Sequence, residues 1–128
     1  MDIKLGIKKK QDLIVTDDVT ASSYGSGLVD VFATPAMIAL MERTCQLSVQ
    51  EFLDEGDMTV GTLVNVKHLK ATPVGMRVEC ESELTLQDGR RLVFKVSASD
   101  ERGQIGEGIH ERFIVNREKF MHKLNSTK

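Results

Sequence analysis

The sequence predicts an α+β domain in which one long amphipathic helix is followed by four strands and preceded by one. Three observations carry this reading. Apolar residues recur at helical spacing from Thr34 to Leu53, strand-type alternation fills Gly61 to Asn116, and turn residues punctuate that second region.

Taken in order, Leu13-Ile14-Val15 with Val19 suggests a first strand, interrupted near Asp17-Asp18. Ser22 to Gly27 clusters Gly and Ser without periodicity and reads as a turn or loop, with a lid over a site as the sharper alternative. The helix then begins with Thr34 as capping residue and Pro35 at the first helical position, where a missing N–H costs nothing. Its apolar stripe is Ile38, Met41, Cys45, Val49 and Phe52, widened by Met37, Leu40 and Leu53. Gly56 is expected to end it in the left-handed conformation.

Beyond the helix, Gly61 to Leu69 reads as a strand, and Ala71-Thr72-Pro73-Val74-Gly75 as a turn. From Met76 to Leu86, Met76, Val78, Cys80, Ser82 and Leu84 share one face, and Arg77, Glu79, Glu81 and Glu83 the other. Gln87-Asp88-Gly89-Arg90 signals a tight hairpin. Arg91 to Ser99 alternates again, Asp100 to Gln104 turns, and Ile105 to Asn116 is the last strand before a charged tail that suits a short helix. Hairpins are expected to join these four strands. One helix does not cover so much sheet, so the sheets of two subunits are expected to pair.

Length and composition narrow the function classes. The 128 residues suit one domain, 1–128, with a single core. No stretch approaches a membrane span, and MDIKLGIKKKQ lacks the apolar centre of a signal peptide, so a cytoplasmic location is expected. A net charge of −2 with mixed signs, no Trp and one Tyr argue against a nucleic-acid surface. Lys8-Lys9-Lys10 reads as a solvated face. Cys45 and Cys80 lack CxxC spacing and are read as reduced thiols.

The candidate chemistry starts at Glu42, which lies on or beside the apolar face of the helix. A carboxylate there must be paired, hydrogen-bonded or protonated. In Val64-Asn65-Val66-Lys67-His68, alternation turns His68 toward the helix. Thr34, Glu42 and His68 bordering one apolar face are more specific than any one of them. Cys45 as a nucleophile, a metal on Glu42, His68 and His110, and a phosphate contact from Lys67, Lys70 and Arg77 are weaker readings of nearby residues.

These residues carry a resemblance. VFATPAMIALMERTCQ, GTLVNVKHLKATPVGMRV and GEGIHERFIV, within about Val31 to Phe120, resemble the hot-dog-fold acyl-CoA thioesterases, and most closely the fluoroacetyl-CoA thioesterase-like group. The match extends to the separations between Thr34, Glu42 and His68. It implies a hot-dog fold, with a long central helix wrapped by an antiparallel sheet, and a homodimer with sites at the subunit interface, further pairing into a tetramer staying open. It also implies hydrolysis of a short or medium acyl-CoA with no metal or other cofactor, coenzyme A being part of the substrate.

Carried over by position, the catalytic residues are Thr34, Glu42 and His68, and Gly61 matches a glycine close to the acyl group. Pro35 and Arg112 are expected to meet substrate, Arg112 by holding a CoA phosphate, with orientation of the catalytic groups by His110-Glu111-Arg112 or a plain cross-strand ion pair as the alternatives. Whether Thr34 attacks directly or holds the attacking water stays open. Pro35 stands where the family has glycine, and Leu28-Val29 where the fluoroacetyl-specific member carries aromatic lid residues, which points to another acyl group. The rival readings are a non-catalytic acyl-CoA binding module and an acyl-CoA hydratase or dehydratase on the same fold.

Overall fold

The computed structural model describes residues 2–126; Met1, Thr127 and Lys128, at the ends of the expected domain, lie outside the described residues. The chain runs β1 (Lys8–Ile14), a 3₁₀ turn (Asp17–Val19), α1 (Ala21–Tyr24), α2 (Thr34–Gln50), β2 (Asp57–His68), β3 (Arg77–Asp88), β4 (Arg91–Asp100), β5 (Gly103–Asn116) and α3 (Arg117–Ser126). The five strands form one antiparallel sheet in the order β1-β3-β4-β5-β2. This sheet wraps α2, which is the hot-dog architecture.

The strand alternation read from sequence holds in the core. Val78, Cys80 and Leu84 of β3 and Leu92, Phe94, Val96 and Ala98 of β4 are buried against α2. On α2 the buried face is turned slightly from the expected stripe. Met37, Leu40, Met41, Cys45 and Val49 are buried, whereas Ile38 is only partly so. Thr44 and Ser48 take the remaining buried positions because each hydroxyl bonds a carbonyl of its own helix, Leu40 O and Cys45 O, both at 2.7 Å.

Several expectations need correction. Helix α2 stops at Gln50 instead of Leu53, so Phe52 and Leu53 lie beyond it. Gly56, at φ 85°, serves the turn into β2, where Asp57 N–H donates to Asp54 O at 3.0 Å. The Ser22 segment holds α1, with Thr20 Oγ1 accepting from Ser23 N–H and Gly25 left-handed at its end. Hairpins join β3, β4 and β5, with Gly89 at φ 61° in the first turn. The connection from β2 is not a hairpin: β2 pairs with β5 and forms an edge of the sheet, with β1 at the other. Lys8, Lys9 and Lys10 sit exposed on β1, as solvated charge. No described helix is long and apolar enough to cross a membrane.

Helix and sheet therefore depend on each other through this apolar contact. Leu40, 2% exposed at its centre, is the most direct probe. Leu40→Ala is expected to lower unfolding free energy by about 2–5 kcal/mol in urea titration.

Candidate active site

The start of α2 is fixed by the segment before it. Phe32 N–H donates to Thr72 O and Ala33 N–H to Val19 O, both at 2.9 Å, and Val31 bridges to Pro73. Ala33 is the N-cap and no side chain caps the helix, so Thr34 is the first helical residue and not the cap. Its hydroxyl goes elsewhere. Thr34 Oγ1 lies 2.8 Å from His68 Nδ1 at the end of β2.

His68 is half-buried and packs edge-on against Phe32, with ring centroids 6.4 Å apart. Burial pushes its pKa below the ordinary 6.5, and the main chain of Lys70 opposes that shift. Its Nε2 is buried with no hydrogen-bond partner among the described residues. An open hollow of about 240 Å³ surrounds the pair, lined in part by Phe32, Thr34, His68, Leu69 and Lys70.

Glu42 belongs to a second cluster. Its Oε2 is 4.0 Å from Arg112 Nη1, with Arg112 buried and the Glu42 side chain 41% exposed. Arg112 donates through Nε to Thr59 Oγ1 at 2.7 Å and through Nη2 to Thr59 O at 2.9 Å. Its Nη1 lies 3.1 Å from His110 Nε2. Gly61 closes this group from β2: a Cβ there would stand 2.9 Å from Glu42 Oε2 and 3.3 Å from His110 Cε1. The register slips at this point, between Gly61 and Leu63.

The three candidates are thus not brought together within one chain. Thr34 and His68 meet, while Glu42 sits eight residues along α2, about 12 Å down the axis. Arg112 points under β2 at Glu42, so the phosphate contact expected of it does not match its buried, committed donors. Pro35 is exposed on the first turn. Burial raises the Cys45 pKa far above the thiol range, which makes it inert as a nucleophile. No group of three metal-ligating side chains occurs among the described residues. Arg77 is committed to Asp12 and Glu79, and Lys67 lines a larger groove of about 740 Å³ on the outer sheet face, away from the candidate residues. Thr59 was not singled out by the sequence; its signal was an arginine at an inward position needing an acceptor across the ladder.

Comparison with known proteins decides the family. The model of the fluoroacetyl-CoA-specific thioesterase family, FlK, matches residues 15–118. The chain belongs to this family. It is 42% identical over 95 residues to the fluoroacetyl-CoA thioesterase of Streptantibioticus cattleyicolor, covering 74% of this chain and 68% of that protein. The solved structure of the fluoroacetyl-CoA thioesterase FlK superposes with a TM-score of 0.92 at 34% identity, over 100% of this chain and 99% of that one. A thioesterase superfamily member from Thermus thermophilus gives 0.90 at 29% identity, over 98% and 93%. The protein is an acyl-CoA thioesterase on a hot-dog fold.

In this FlK-family chain, Gly61 is the position where space and chemistry meet most closely. Gly61→Ala would push against the mobile end of Glu42, not against the backbone. If the Glu42 carboxylate acts in turnover, its displacement lowers thiol release about tenfold or more, with the urea midpoint nearly unchanged.

Proposed function

We propose that the protein hydrolyses a short or medium acyl-CoA in the cytoplasm, at a site completed by a second copy of the chain, with Thr34, Glu42 and His68 as the acting groups. The observation that carries this is the 2.8 Å contact between Thr34 Oγ1 and His68 Nδ1. A hydroxyl within hydrogen-bond reach of a neutral imidazole is a nucleophile–base pair, and burial keeps His68 neutral at physiological pH. His68 takes the hydroxyl proton as Thr34 attacks the thioester carbonyl, and the CoA thiolate leaves with little need of an acid. Water then attacks the Thr34 ester, Glu42 taking the water's proton; the carbon–oxygen bond to Thr34 breaks, His68 returns the proton to the Thr34 hydroxyl, and the free acid is released. The first turn of α2, free of any side-chain cap, offers N–H groups and a positive dipole end to the developing oxyanion. Leu28 and Val29, exposed in the segment that precedes α2, are the aliphatic residues offered to the acyl chain in this reading. Both cysteines are free thiols, which suits a reducing compartment.

The character of the β2 edge supports the proposed second copy. This edge strand carries Leu63 and Val64 exposed, whereas the β1 edge is guarded by lysines. We propose that β2 pairs antiparallel with its twofold mate; a register centred between Val64 and Asn65 would set His68 opposite the partner's Gly61. Since Gly61 lies against Glu42 in its own chain, that register would bring the Thr34–His68 pair toward the partner's Glu42.

Free-thiol release from a panel of acyl-CoAs tests the reading. Thr34→Ala, Glu42→Gln and His68→Ala are each expected to lower turnover about 10²-fold or more. Because His68 must be neutral and its pKa is lowered, activity should be lost only as pH falls below 6.5. Near wild-type turnover in all three variants contradicts the assignment. Binding without thiol release favours a sequestering module, and water addition to an enoyl-CoA with the thioester intact favours a hydratase.

A further inference from the structure

His110 is buried, titratable and unused by the chemistry above. It is 1% exposed, and its ring stacks on Phe94 with centroids 6.5 Å apart and planes at 28°. Its Nδ1 lies 2.8 Å from the main-chain oxygen of Leu63. A carbonyl only accepts, so Nδ1 carries the proton and donates. In the neutral ring Nε2 is then a bare acceptor, and the group facing it is Arg112 Nη1, which only donates. The two contacts are chemically consistent in one tautomer alone. A proton on Nε2 would set two donors against each other.

This contact completes a cage around one guanidinium. Thr59 takes Nε and Nη2, His110 takes a hydrogen of Nη1, and the same Nη1 is the atom nearest Glu42. Leu63, which anchors His110, is the residue at which the β2 register resumes after its slip beyond Gly61. Strand position is thereby passed to the carboxylate: from Leu63 to His110, from His110 to Arg112, and from Arg112 to Glu42.

We infer that His110 is a positioning residue of the thioesterase, a neutral imidazole whose Nε2 aims the Arg112 guanidinium at Glu42. The inference rests on the proposed role of Glu42 and goes beyond it by assigning what holds that carboxylate in place. His110 touches no substrate in this account. It acts through Arg112, so its loss should weaken turnover and leave acyl-CoA binding intact.

The test compares two replacements. His110→Gln keeps an acceptor near the Nε2 position, whereas His110→Asn keeps a donor for Leu63 and is too short to reach Arg112. Thiol release should show kcat lowered about tenfold to a hundredfold in His110→Asn, with KM within about twofold of wild type. His110→Gln should recover most of that loss. Thr59→Val, nearly isosteric, removes the Oγ1 acceptor for Arg112 Nε and should lower kcat in the same way, which keeps the inference testable if His110→Asn fails to fold. Glu42→Gln is measured alongside. Wild-type kcat in a folded His110→Asn or in Thr59→Val, or equal loss in both His110 variants, overturns the inference while an inactive Glu42→Gln leaves the catalytic reading intact. Full turnover in Glu42→Gln overturns both.

Discussion

Helix α2 holds Thr34 and Glu42 eight residues apart, and the rest of the molecule answers to that separation. Two turns of a helix packed along its length on a sheet do not bend to bring such residues together. Each therefore acquires its own surroundings. The first turn meets His68 because β2 ends beside it, and the third turn meets Arg112 and His110 because β5 runs beneath it. One polar cluster is a hydroxyl and an imidazole; the other is a carboxylate steered by a caged guanidinium. A second copy joined along β2 is the economical way to put the two side by side.

The electrostatics of the two clusters differ in kind. His68 is lowered in pKa chiefly by burial, which suits the proton-accepting role proposed for it. Arg112 is also desolvated, with Glu42 opposing the loss of its charge. A buried cation of this sort is tolerable only with its donors satisfied, and Thr59 and His110 satisfy them. Glycine at position 61 keeps β2 close enough for that cluster to form under the strand. The turn of the α2 face that buries Thr44 and Ser48 leaves Glu42 at the edge of the core, where its side chain stays partly exposed.

Much of the fold was legible because β4 and most of β3 alternate, up to the register shift between Leu84 and Leu86, and Gly89 marks their hairpin. The helix was legible for similar reasons, but its ends were not. Gly56 looks like a helix terminator, yet the last turn closes at Gln50 and the glycine serves the next turn. Thr34 looks like a cap, yet its hydroxyl is drawn to His68, a contact spanning 34 positions that no local rule anticipates. Strand order was hidden for the same reason: hairpin signals reveal β3-β4-β5, whereas the placement of β2 beyond β5 is set by tertiary packing. Of the site, Thr34 and His68 proved to be partners, while Arg112 was found facing inward at Glu42, because inward residues of β5 look under β2 and not toward solvent.

In the proposed dimer, one chain supplies Thr34 and His68 while its partner supplies Glu42. Mixed dimers of Thr34→Ala and Glu42→Gln, made by co-expression with separate affinity tags, test it most directly. Each homodimer lacks activity on this account, but the mixed dimer regains one intact site of the two and should recover about half of wild-type turnover. Mixed dimers as inactive as both parents would show that the acting residues work within a single chain, and the account would fail.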